Sequence, residues 1–295
     1  MFSRISDAEL FDELKRRFAE NKKAYHDLQI LTKKLERLNA KLRESEALKS
    51  NFISNIKNEL NNPLTSLSII AQELATNYGT MNVDKIKSFA ENLYVDLLSI
   101  NHNLKNIFLA AEIESGEIKP FISKIDLKSF IENTISELSF FLKINNLALD
   151  VIWMNENEIE NNDFFSDSEK LQMILTNILW NSIQYSTKNS KITLKLSLQD
   201  NILNFWISDY GYLMSTDDIE KFFGEFRHIS VDLTKKDRGY SLSMNVTKAL
   251  VDFLSGSISV SNNESGKGCT FIVTIPSLQP DSDVNVSFDG NEFFF

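Results

Sequence analysis

Only one cysteine, Cys269, occurs in the 295 residues, so no internal disulfide and no cysteine-cluster metal site can form. A reducing compartment fits that usage. Proline (4) and glycine (9) are scarce, a balance that favours long helices with few sharp turns. No apolar run approaches the roughly 20 residues that cross a bilayer. The opening MFSRISDAELFDELKRR also lacks the apolar core of a signal peptide. Positive charge is in the minority: 31 Lys and Arg face 41 Asp and Glu, a net −10, and no basic stretch of useful length offsets it. Such a surface repels a phosphate backbone, which argues against nucleic acid as a partner. A cytoplasmic protein without a membrane span is expected. What is present is ordinary globular material, 42% hydrophobic and 24% charged, with a length that suggests about two domains.

The first third reads as long helices. Phe11, Leu14, Phe18 and Tyr25 share one heptad seam, and Leu28, Leu31, Leu35, Leu38 and Leu42 form a stricter one. The phase slips between Tyr25 and Leu28, as at a stammer. A coiled coil is expected; one amphipathic helix packed on its own domain is the other reading of the stripe. Leu48, Phe52, Ile56, Leu60, Leu64 and Leu67 continue the pattern to a polar turn at Gly79. Pro63 should kink this helix, because it lacks an amide hydrogen and crowds the preceding turn. A second long helix carries Ile86, Phe89, Leu93, Leu97, Ile100, Leu104, Ile107 and Ala111 on one face and stops at ESGEIKP, residues 114–120. Two such helices bury only a stripe each, and a dimeric four-helix bundle would complete the core.

Beyond Pro120 the periodicity changes. Helices are expected over Asp126–Phe141, Asp167–Ser186 and Ser243–Leu254, and strands over Leu147–Trp153, Ser257–Val260 and Thr270–Ile275. Lys191–Leu198 and Ile202–Ser208 should pair as a hairpin about Gln199-Asp200-Asn201. The fold class is therefore α followed by α+β, with helices layered on one sheet face. The tail after Pro276 is polar and acidic but ends in Phe293-Phe294-Phe295. It reads either as a loosely held end or as a docking peptide.

The motifs give this order a meaning. Phe52, then Ile56-Lys57-Asn58-Glu59-Leu60-Asn61-Asn62-Pro63-Leu64, resembles the H-box of bacterial sensor histidine kinases, usually F-x-x-x-x-S-H-E-L-R-T-P-L. From about Leu48 to Pro276 the chain is similar to that family's transmitter region, with Asn58 at the place of the phospho-accepting histidine. A neutral imidazole has a ring nitrogen with a free lone pair to attack phosphorus. A carboxamide nitrogen has its lone pair delocalised into the carbonyl, so Asn58 is a poor nucleophile and the adjacent Glu59 has nothing to deprotonate. Lys57 lies about 100° around the helix and cannot stand in. His26, His102 and His228 offer no substitute, His102 being read as a solvated or packing residue.

Residues 171–186 resemble the family's N-box. Asn177 and Asn181 are one helical turn apart, so both amides project from one face. The resemblance implies ATP and Mg²⁺, with Asn181 as the metal ligand through its carbonyl and Asn177 and Tyr185 beside the nucleotide; oxygen ligands suit a hard cation. Gln184 stands where the family often has lysine. Asp209-Tyr210-Gly211-Tyr212-Leu213 resembles the G1 box, D-x-G-x-G. Asp209 would accept from the adenine amino group and Gly211 would keep the backbone close, while Leu213 adds bulk where a glycine is usual. Phe222–Arg227 fits the F-box. Arg238-Gly239-Tyr240-Ser241-Leu242-Ser243 occupies the G2 position, with Gly239 kept and Ser241 and Ser243 replacing glycines that let amides approach phosphate. Gly266–Pro276 matches the closing strand.

The resemblance therefore implies an N-terminal coiled coil (1–47), a dimerisation and phosphotransfer-like hairpin (48–120), an ATP-binding α/β sandwich (121–276) and the tail (277–295). It implies a degenerate histidine kinase, without autophosphorylation, that regulates a response regulator or a partner kinase by contact, as a dimer with itself or with a related kinase. The alternative is a chain that still binds ATP and phosphorylates a partner.

Overall fold

The computed structural model describes residues 7–156, 159, 162–215, 219 and 242–278, with the side chains of 7–10, 13, 41, 44–52 and 55 left aside. The chain divides into two units, residues up to Asn51 and residues from Phe52 onward. Helix α1 runs from Asp7 to Asn77 and continues unbroken through Pro63. In the first unit the heptad residues Phe11, Leu14, Phe18, Tyr25, Leu28, Leu31, Leu35, Leu38 and Leu42 are all between 55% and 77% exposed, so none of the described residues covers the seam.

In the second unit a single 3₁₀ turn (Tyr78–Thr80) joins α1 to α2 (Val83–Ser115). Helix α2 starts where the Asn82 side chain accepts from the Lys85 amide, 2.8 Å away. It ends at Gly116, in the left-handed conformation that glycine reaches without a Cβ penalty. The apolar face expected for α2 is left open in part, with Leu97 56% exposed. The side chains that α2 buries are instead His102, Asn106, Ala110 and Ile113, on a different stripe. The helix thus has two faces: the apolar one that a dimeric bundle was expected to complete, and a second one that docks onto the following domain.

The domain after Pro120 follows the expected order, with elements α3 (Leu127–Ile144), β2 (Ala148–Trp153), α4 (Ser168–Tyr185), β4 (Lys191–Gln199), β5 (Ile202–Ser208), α5 (Leu242–Phe253), β6 (Ser257–Asn262) and β7 (Cys269–Pro276). Two four-residue strands went unforeseen: β1 (Ile122–Ile125) and β3 (Phe164–Asp167) pair antiparallel as a small separate sheet. Such short runs carry too few residues for a period to be read. The main sheet has the order β2-β4-β5-β7-β6, with β2 parallel to β4 and the other pairs antiparallel. Asp200 and Asn201 turn the β4–β5 hairpin with positive φ (52° and 61°), the geometry that a two-residue loop demands.

One face of this sheet carries the core. Ile192, Leu194, Leu203, Phe205, Ile207, Phe271, Val273 and Ile275 are fully buried, and so are Leu171, Ile174, Leu175, Ile178, Val246, Ala249 and Leu250 from α4 and α5. Asp167 ties the entrance of α4: its carboxylate accepts from the Lys170 amide (3.1 Å) and from the Phe121 amide (2.9 Å). Helix α4 is thereby fixed with its asparagines toward α2 and α5.

Candidate functional site

Asp209 sits at the end of β5 and is fully buried. Its Oδ1 accepts from the Gly211 amide (2.9 Å) and the Cys269 amide (3.4 Å), and the Cys269 thiol lies 3.6 Å from Oδ2. The backbone is held as firmly. The Asp209 amide donates to the Cys269 carbonyl (3.1 Å), and Asn263 Nδ2 donates to the Asp209 carbonyl (2.7 Å). Two glycines make this approach possible. A Cβ on Gly211 would lie 2.2 Å from the Tyr185 carbonyl oxygen, and one on Gly268 would lie 2.1 Å from that of Asp209. The glycine expected to serve the nucleotide thus also serves the junction between α4 and the loop after β5, where Ser186 bridges to Gly211. Tyr185 contributes its carbonyl to that junction.

Leu213 does not fill the interior of this turn. Its side chain is 50% exposed, while Met214 beside it is buried and its backbone is clasped in both directions by Asn262. Gly239, Ser241, the F-box residues 222–227 and His228 lie outside the described residues.

The two N-box asparagines come together with residues from elsewhere. Asn177 is fully buried and forms a reciprocal carboxamide pair with Asn106 of α2. Asn177 Nδ2 donates to Asn106 Oδ1 (2.8 Å), and Asn106 Nδ2 donates to Asn177 Oδ1 (3.1 Å). Asn177 Nδ2 also donates to the Ser243 carbonyl in the first turn of α5 (2.9 Å). One turn further along α4, Asn181 is buried beside it. On the α2 side, His102 stacks on Trp180 with ring centroids 4.4 Å apart and an interplanar angle of 10°. Burial, helped by the nearby Lys105 charge, lowers its pKa to about 4. The ring is therefore neutral at pH 7, with Nε2 3.3 Å from Asn106 Nδ2. His102 is a packing residue, one of the two readings its position allowed.

At the acceptor position, Asn58 is exposed on α1. Glu59 next to it is partly withdrawn from solvent: burial raises its pKa, while the Leu242 backbone N–H at the start of α5, facing the carboxylate, works the other way. Its own carbonyl accepts from Asn103 Nδ2 of α2 (3.3 Å). Asn58 and its neighbour thus face different surroundings, one water and the other the start of α5.

For ATP, the end that the resemblance assigns to the base is a buried carboxylate, Asp209, flanked by a glycine-dependent backbone. For Mg²⁺, the described residues hold no group of three or more His, Cys, Asp or Glu side chains that could cage an ion. A cation would depend on the Asn181 carbonyl together with phosphate oxygens. Sequence reading did not single out Asn106, Trp180 or Asn263, and took Cys269 only as excluding a disulfide or a cysteine-cluster metal site. The spacing of His102 and Asn106, two polar residues four apart and off the apolar stripe, was the available signal for a second working face on α2.

Residues 166–279 match the family described as histidine kinase-, DNA gyrase B-, and HSP90-like ATPase. Among curated proteins, the sensor protein CiaH of Streptococcus pneumoniae is 26% identical over 239 residues, covering 81% of this chain and 52% of the relative. The chain spans about half the length of that relative. Among solved structures, the histidine kinase AdeS of Acinetobacter baumannii superposes with a TM-score of 0.51 at 18% identity, covering 75% of this chain and 98% of the other. The histidine kinase ThkA, solved in complex with the response regulator TrrA, gives 0.51 at 16% identity, covering 81% and 65%. No described helix is long and apolar enough to cross a membrane.

Proposed function

We propose that the chain, whose residues 166–279 match an ATPase-type domain, is a transmitter region of the sensor histidine kinase kind that acts in two-component signalling by contact, without phosphorylating itself. The observation that carries this is Asn58. The residue in the acceptor place is solvent-exposed and so within reach of a phosphate donor, yet it offers no nucleophile. His102 does not replace it, because its ring is buried against Trp180 and its Nε2 faces Asn106. We take residues 1–47 as a coiled coil, 48–120 as the dimerising hairpin and 121–276 as the ATP-binding domain. Asn61, Leu64 and Thr65, exposed one helical step beyond Asn58, form the surface for a response regulator or a partner kinase. A complex of this kind is the subject of the ThkA–TrrA structure. Incubation with radiolabelled ATP and Mg²⁺ is expected to leave no acid-labile, base-stable label on the chain. Such label would overturn the reading.

A second reading is favoured by the buried Asp209 held beside Gly211 and Gly268. Here the chain binds ATP through Asp209, Asn177 and Asn181, and phosphorylates a histidine on a partner. Bound Mg²⁺ would neutralise phosphate charge, with Asn181 as its protein ligand. Asp209 would fix the base, and the described residues would position the nucleotide rather than enter the chemistry. Binding of a fluorescent ATP analogue that Asn181→Ala abolishes supports this reading; absence of binding removes it.

A further inference from the structure

The carboxamide of Asn177 is engaged through both its oxygen and its nitrogen. Its oxygen accepts from Asn106, and its nitrogen donates both to Asn106 and to the Ser243 carbonyl. Asn106 is not loose either, since its Nδ2 also lies 3.1 Å from the His102 carbonyl of the preceding turn. A second contact stands close by. Glu59 of α1, whose carbonyl is held by Asn103, presents its carboxylate to the Leu242 amide, the first of the 12-residue helix α5. The opening turn of a helix leaves backbone N–H groups without intrahelical partners, and its dipole favours an anion there. Phosphate oxygens are anions of the same kind, and such an end suits them equally. Leu242 also belongs to the segment that the resemblance assigns to phosphate.

We propose that the α1–α2 hairpin is an internal ligand of the nucleotide site, with Asn106 occupying Asn177 and Glu59 occupying the start of α5, so that hairpin docking and nucleotide binding exclude one another. This deepens the second reading above and rests on Asn177 and α5 belonging to a nucleotide site. The Asn106–Asn177 pair joins residues 71 apart in sequence and is fully buried, so it cannot persist if Asn177 turns to a cation or phosphate. Removing one buried amide costs the hairpin its hold without touching the nucleotide's own contacts. Nucleotide then no longer has to displace it.

The test uses the full chain and a fluorescent ATP analogue with Mg²⁺. Asn106→Leu and Glu59→Gln are each expected to tighten binding roughly five- to thirty-fold, the factor that one or two hydrogen bonds of this kind represent. Asn106→Leu combined with Glu59→Gln should tighten it further. Unchanged or weaker binding in folded single variants overturns the proposal. So does absence of binding in the wild-type and variant proteins alike, an outcome that leaves the contact-only function intact. Autophosphorylation of the wild type would do the reverse. Should Asn106→Leu fail to fold, hydrogen exchange of the wild type decides: nucleotide should raise exchange in residues 102–113 of α2. Equal protection with and without nucleotide counts against exclusion.

Discussion

At the scale of single residues, the chemistry turns on which groups are kept from water. His102 is neutral because its charged form has lost its hydration against Trp180, and the Lys105 charge adds to the cost. Its pKa falls from 6.5 to about 4 in the folded chain. The unfolded or undocked state therefore takes up the proton first as pH drops. Stability from this contact is complete above about pH 6.5 and is lost as pH falls toward 4. At pH 5 the loss is about 2 kcal/mol. Glu59 runs the other way: its raised pKa adds stability at low pH, and that contribution fades as pH rises through the raised value. Because the His102 shift lies in the window between 4 and 6.5, its contribution should lower the melting temperature from pH 7 to pH 5. The variant His102→Phe keeps a ring against Trp180 and should flatten that slope. A slope unchanged in the variant would show that another group titrates.

Elements are set by their ends more than by their middles. Helix α4 carries both N-box asparagines, and its start depends on Asp167, which is buried and serves the Lys170 amide, the Phe121 amide and the Lys170 ammonium (3.6 Å) together. Asp167→Ala removes the cap and leaves a backbone donor without a partner, at a cost of about 2 to 3 kcal/mol. Urea denaturation followed by far-UV circular dichroism should show a lower midpoint with an unchanged slope. A loss under about 0.5 kcal/mol would mean that α4 is held by its apolar face alone. The helix starts expected at Asp126 and Asp167 and the stop expected over 114–120 fall at capping residues, Asp126, Asp167 and Gly116. The four-residue strands β1 and β3 have no such signal, and their pairing was decided across about 40 residues of intervening chain.

For the whole molecule, the open question of partnership has its physical root in α1. A stripe of leucines more than half exposed along one helix is costly in water, and each such side chain gains about 1.5 to 3 kcal/mol on full burial. A second copy or a related kinase with the same heptads is the simplest cover. Leu31→Asp together with Leu35→Asp should convert a dimer into a monomer in analytical ultracentrifugation, with little change in the circular dichroism of the domain from Phe52 onward. A wild type that sediments as a monomer at micromolar concentration would remove the coiled-coil dimer.

Much of this protein was already determined by the order of its residues. Hydrophobic periods and caps are properties of neighbours, and they defined the long helices, the hairpin about Asp200 and the α+β order. The resemblance of a few motifs proposes Asp209, Asn177 and Asn181 for one site, and the identity of residue 58 settled that it offers no imidazole. Tertiary structure alone decided which side of α2 would be buried and what Asn177 would hold. A carboxamide has donors and acceptors that must be satisfied once water is excluded, and its partner is chosen by whatever the docked surfaces bring near. Here that is Asn106, 71 residues away and off the apolar stripe, so no local pattern could have pointed to the pair.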